Sequence, residues 1–183
     1  NVQNIYQAAI ETFGSDKINI VYIKDDSLFT PEKLIQVEKL VVKLEAVKGI
    51  QKVESLFSTN NFKNDNGMLV TGPLMEWVPE TIKESENLLA DARANPIISG
   101  NLVSKEETSI AINLFLDTDN SDKNFYQKLT LTTDSLIQPF ESEFEKIFQI
   151  GEPYLRHQIS KMMVIDQKRI IPVSVLVLLI TLI

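Results

Sequence analysis

The chain has 183 residues, 44% of them hydrophobic and 23% charged, enough for one well-buried domain with a lobe added. Its net charge of −7 argues against a nucleic-acid or anionic-lipid docking surface, because both need a basic face. The lack of cysteine excludes disulfides, thiolate metal sites and a cysteine nucleophile.

Asn1 to Phe13 carries apolar residues at helical spacing (Val2, Ile5, Ala9, Phe13), and Gly14 is a suitable stop. Residues 1–16 read as the continuation of a preceding membrane helix. Lys17 to Lys24 is rich in β-branched residues and predicts a strand with apolar groups on both faces. Thr30-Pro31-Glu32 predicts a helix start. Leu34, Val37, Leu40, Val41 and Leu44 make its apolar stripe, and Gly49 ends it. Ile50 to Phe57 predicts the second strand.

Ser58 to Pro79 reads as a long irregular stretch with turn signals at Asn64 to Gly67 and at most a short strand at Met68 to Val70. Thr81 to Ala94 predicts a polar helix with Ile82, Leu89 and Ala92 inward, stopped by Asn95-Pro96. Leu102 to Ser104 and Ser109 to Leu116 predict a hairpin. A long helix follows, with Phe125, Leu129, Leu136, Phe140 and Phe144 on one side and a kink at Pro139. Phe148 to Ile150 is the last predicted strand, and Ile159 to Gln167 a helical approach to the end of the chain.

From Ile170 to Ile183 no residue is charged and almost all are apolar. A spanning helix needs about 20 apolar residues, so this stretch reads as the start of a transmembrane helix. Arg156, Lys161, Lys168 and Arg169 flank it, suited to lipid headgroups. The positive-inside rule would put such a flank in the cytoplasm, but long loops cross largely regardless of charge.

With residues 58–96 set aside as an insertion, the order is strand-helix-strand, strand-helix-strand. The expected class is therefore α+β, a ferredoxin-like or split βαβ domain over residues 17–155. Residues 156–183 form the approach helix and the start of a span.

Few motifs carry chemistry. Asp117 to Asp122 resembles a calcium loop, but Asp122 and Lys128 stand where Gly and Glu are needed, so it reads as a helix-capping turn. His157 is the one histidine and has no partner ligand in sequence. No phosphate-loop, dinucleotide, nucleophile-elbow or zinc signature occurs, so no catalytic, cofactor or metal residue is expected. Phe57, Phe62, Met68, Leu74, Met75 and Trp77 gather in the irregular stretch. They either line a greasy groove for a lipid-like substrate or anchor the loop to its own domain.

Several strings occur in a familiar order. They are Phe13-Gly-Ser-Asp16, Leu28-Phe-Thr-Pro-Glu-Lys-Leu34, Gly49 to Phe57, Gly72-Pro-Leu74 with Val78-Pro79, Asn95-Pro96, and Gly100-Asn-Leu-Val-Ser104. Together they resemble the extracytoplasmic domain between the first two spans of resistance-nodulation-division (RND) exporters, nearest the branch of MMPL proteins and hopanoid transporters. The resemblance implies a porter domain of a proton-driven, multi-pass inner-membrane protein, on the periplasmic side. It implies a hydrophobic or lipid-like substrate and contact with the bilayer. It also implies a second homologous porter domain in the same protein and room for homo-oligomers. The family's proton relay lies in central spans, so no catalytic residue carries over. A membrane-anchored interaction module, including a secretion-motor type, is the rival reading, because one fold serves many functions.

Overall fold

A computed structural model describes residues 17–65, 68–117 and 124–182. Among these residues the architecture is α+β, with a four-stranded antiparallel sheet, a separate two-stranded sheet and four helices. The predicted helix before Gly14, the turn after Asp117, and Asn66-Gly67 of the Asn64 to Gly67 turn lie outside the described residues.

The main sheet is built from β1 (Ile18–Lys24), β2 (Ile50–Glu54), β5 (Ser109–Leu116) and β6 (Lys146–Gly151), in the order β2-β5-β1-β6. Strand β1 pairs with β5 on one side (Val21 opposite Ile112) and β6 on the other (Val21 opposite Gln149). Where β2 has ended, Val103 bridges Ile110 of β5.

Alternation decides the faces. Asn19, Val21 and Ile23 of β1, Ile112 and Leu114 of β5, and Ile147 and Gln149 of β6 point into the core. Their neighbours Ile18, Ile20 and Tyr22 are half-buried on the other face. Strand β1, whose apolar groups on both faces suit a strand covered on both sides or one at a sheet centre, is at the sheet centre, between β5 and β6, with one face buried and the other half-buried.

Helix α1 (Pro31–Glu45) starts at Pro31 as its sequence requires, and its stripe Leu34, Val37, Leu40, Val41, Leu44 is buried. Thr30 precedes it without a side-chain cap bond. The helix ends before Gly49, which sits at φ +101°, a conformation that favours glycine. A Cβ there would meet the Phe125 ring at 2.7 Å.

Helix α2 (Ile82–Ala94) buries Ser85, Leu88 and Ala92. Ile82 is mostly exposed, a second correction, because it lies on the first turn away from the buried stripe. Helix α3 (Phe125–Ile137) buries Leu129, Thr130, Thr133 and Ile137. It stops where Pro139 enters a 3-10 turn (Gln138–Phe140), so the proline ends the helix and does not kink it. Helix α4 (Glu152–Leu182) follows β6 without a loop.

The stretch expected to be irregular contains a hairpin. Strands β3 (Asn60–Asp65) and β4 (Met68–Pro73) pair from Asn60 with Pro73 to Asp65 with Met68. The second main-sheet strand is correspondingly shorter than expected and ends at Glu54.

One ion pair fixes the corner between β1 and α1. Asp25 is buried; its Oδ1 accepts from Ser27 N (2.8 Å) and Ser27 Oγ (2.6 Å), and its Oδ2 lies 2.9 Å from Lys33 Nζ. Lys33 also donates to the Glu143 carbonyl. Burial alone would raise the Asp25 carboxyl, but the Ser27 and Lys33 hydrogen bonds outweigh it and hold it at about 2, below its ordinary 3.8. A depressed carboxylate stabilises the fold above its unfolded value, and that stability is lost as pH falls from 3.8 toward 2. Asp25→Asn is expected to cost about 2 kcal/mol at neutral pH and to flatten the acid limb in that window. Urea midpoints of both proteins between pH 5 and 2 (roughly the acid-unfolding range) check this. Parallel acid limbs would show that Asp25 has no such role.

Candidate functional site

Of the six apolar residues of the 57–77 stretch, the five whose side chains are described do not stay together. Ser55 to Ser58 forms a turn in which Ser58 Oγ accepts from Ser55 N (2.9 Å) and donates to Val53 O (3.0 Å). Leu74 N donates to Thr59 O (2.8 Å) and Met75 N to Leu56 O (3.1 Å), pinning the returning chain against that turn. Leu74 and Met75 then drop into the core, where they are 6% and 3% exposed. Phe57 is half-buried against the core edge. Phe62 and Trp77 stand out, 52% and 69% exposed. The side chain of Met68 lies outside the described residues. The expected cluster thus divides into anchors (Leu74, Met75, Phe57) and exposed groups (Phe62, Trp77).

The exposed pair flanks α2. Thr81 Oγ1 accepts from Glu84 N (3.3 Å), and Glu84 Oε2 accepts from Glu80 N (2.8 Å), a reciprocal cap that fixes the first turn. At the other end Asn95 is buried. Its Nδ2 donates to Asn61 Oδ1 (3.1 Å) and its Oδ1 accepts from Ile97 N (2.9 Å). This ties the end of α2 to strand β3.

Two open clefts result. One, of about 290 Å³, lies between the 73–79 segment and α2, with Trp77, Glu76, Glu84 and Asp91 on its walls and Leu74 and Met75 showing an edge. The other, of about 480 Å³, lies between β3 and the end of α2, lined by Phe62, Asp91, Ala94, Pro96 and Ile97. Asp91 lines both, so the two clefts adjoin at that residue of α2. Sequence reasoning missed the acidic wall. Glu84, Asn87, Leu88 and Asp91 fall three, four and seven residues apart, the spacing of one helix face, and that signal was available. A third cleft, between α1 and the 3-10 turn, mixes Lys39 and Lys43 with Glu38 and Glu143.

The basic flank is exposed on α4. Arg156 Nε donates to Glu152 Oε1 (2.9 Å), and Lys161, Lys168 and Arg169 follow on the same helix. His157 is half-buried near its start. The junction itself is tightly built. Gly151 sits at φ +141°, Glu152 pairs with Lys17 (3.4 Å), and Asn19 Oδ1 accepts from Tyr154 N (3.3 Å). Asn19 Nδ2 reaches Gln149 Oε1 (3.4 Å), and Gln149 donates to Thr130 O (2.8 Å) and Asp134 Oδ1 (2.5 Å). Among the described residues no helix is long and apolar enough to cross a membrane. The stretch from Ile170 to Val175 and from Val177 to Leu182 is exposed throughout.

Comparison with protein-family models and with curated proteins finds no match to this chain.

Proposed function

We propose that this chain is the extracytoplasmic porter domain of a proton-driven RND-type membrane exporter that handles lipid-like or other hydrophobic substrates. The observation that carries the reading is the 31-residue α4, which leaves the sheet with no loop and ends in exposed apolar turns behind a basic flank. A helix of this kind suits a passage from domain to bilayer, with Lys161, Lys168 and Arg169 at headgroup level. Pro172 inside it fits that setting, since neighbouring groups in membrane proteins re-satisfy the freed carbonyl. The sheet order β2-β5-β1-β6 supports the ferredoxin-like reading, with the β3–β4 hairpin and α2 as the insertion. The family strings Leu28 to Leu34 and Gly49 to Phe57 fall on the corner before α1 and on β2, where the porter reading needs framework, not chemistry. In this reading α4 leads to the inner membrane and a second porter domain of the same protein stands beside this one.

Ser142 is exposed and the chain is free of cysteine, so Ser142→Cys gives a single reporter. In cells with a leaky outer barrier, a membrane-impermeant thiol reagent is expected to label it in the full-length protein. Protection that vanishes on lysis would place the domain in the cytoplasm and end the porter reading.

One observation favours the interaction-module alternative. The sheet face away from the helices carries Tyr22 against Phe148 (ring centroids 5.1 Å), with Phe148 and Ile150 each about two-fifths exposed. Deleting the domain separates the two readings: lost efflux supports the exporter, while lost partner capture with efflux intact supports the module.

A further inference from the structure

Helix α4 carries an apolar stripe that no described element covers. Leu155, Ile159, Met162 and Met163 recur at steps of three and four, the spacing of one helix face, and each is more than half exposed. The opposite side of the same turns holds Pro153, which is buried, and Tyr154 and His157, which are half-buried. The stripe begins at Glu152, three positions before Leu155 on the same face, and Glu152 pairs with Lys17 (3.4 Å). Lys17 precedes β1, and β1 runs antiparallel to β6, so the chain before Lys17 leaves the sheet at the end where α4 starts. Phe13 is four residues from Lys17, a reach of at most about 14 Å. The segment from Val2 to Phe13 is therefore tethered beside the foot of the stripe.

The sequence of that segment carries the complement. Val2, Ile5, Ala9 and Phe13 recur at helical spacing. A helix this short holds poorly in water alone and needs a surface to pack on. Phe13 to Val2 and Leu155 to Asp166 span equal lengths of helix, which sets the small Ala9 level with the large Ile159. We propose that residues 2–13 cover the stripe as a helix antiparallel to α4, with Phe13 on Leu155, Ala9 on Ile159, and Ile5 on Met162 and Met163. A second copy suits this face poorly, because two parallel arms set Asp166, the next residue of the row, against its own counterpart. The pairing goes beyond the exporter reading and does not depend on it. It joins the two connections of the domain into one stalk.

The chain is free of cysteine, so single pairs can be placed in it. Helix axes pack about 8–10 Å apart, which brings facing positions within reach of a disulfide. The whole chain is held in a nanodisc of zwitterionic lipid and mildly oxidised. Ala9→Cys with Ile159→Cys is expected to close an intrachain disulfide about tenfold faster than Ala9→Cys with Lys161→Cys, because Lys161 lies on the opposite face of α4. With Ile159→Cys alone, adding Ile5→Asp is expected to raise the alkylation rate of the thiol about threefold, as its cover is weakened. Equal closure of the two pairs, no intrachain closure, or a disulfide-linked dimer from Ile159→Cys alone would overturn the assignment. Protection of Ile159→Cys that Ile5→Asp leaves unchanged would give the stripe to the lipid and overturn it as well.

Discussion

Gly151→Ala is expected to destabilise the fold by about 3 kcal/mol and lower its melting temperature by roughly 6–12 °C. Two costs combine. At φ +141° a side chain is strained whatever the space around it. There is also no space: an added Cβ would lie 2.5 Å from Ile18 O, 2.6 Å from Asn19 Oδ1 and 2.9 Å from Asn19 Cα. Two of these are fixed backbone atoms of the central strand, so relief requires β6 to move off β1. The third is the oxygen that accepts from Tyr154 N, so the first turn of α4 loses its cap as well. Gly72→Ala is the matched control, because nothing lies within 4 Å of its added Cβ. Thermal melts of the two variants beside the parent decide it. Equal melting of Gly151→Ala and Gly72→Ala would show that the junction is not crowded.

The second large effect separates a buried anchor from an exposed group two residues away. Met75→Ala is expected to cost about 2–4 kcal/mol, since it empties a core site that is 3% exposed. Trp77→Ala is expected to change stability by less than about 0.5 kcal/mol, as exposed positions usually do. Urea unfolding measures both. On the proposed exporter reading, abundance tells the two apart: Trp77→Ala lowers export by the full-length protein at normal protein abundance, while Met75→Ala lowers abundance and export together. If Trp77→Ala leaves export intact, the cleft beside Trp77 has no part in transport. If Met75→Ala proves stable, its side chain is not the anchor that its burial and the Met75 N to Leu56 O bond indicate.

Periodicity made the frame legible. The five stripe residues of α1 recur at helical spacing and all are buried, and the apolar strings at 18–23 and 109–116 became β1 and β5. Strand β3 was illegible because Asn60, Asn61, Asn64 and Asp65 are poor strand formers. Cross-strand backbone pairing and the Asn95 to Asn61 contact hold that region, and neither leaves an alternating pattern. Ile82 misled for a related reason, since on a polar helix one apolar residue does not define a face. At the clefts, composition announced large apolar groups but not their direction. An irregular segment has no period to sort inward from outward, so Met75 and Trp77 looked equivalent until the hydrogen bonds around Leu56 and Thr59 separated them. The acidic wall was spread over two segments, Glu76 before the helix and Glu84 and Asp91 on it, and only the fold brings them to one cleft.

The loopless passage from β6 into α4 has a mechanical meaning. At 1.5 Å per residue a 31-residue helix is an arm of about 46 Å. Its fulcrum is the packed joint at Gly151, Asn19 and Tyr154, with no slack of the kind a flexible linker provides. A tilt of about 10° at that joint carries the far tip about 8 Å. A displacement at one end of such an arm would therefore be felt at the other, because the Asn19–Gln149–Asp134 side chains tie its base to the sheet and to α3.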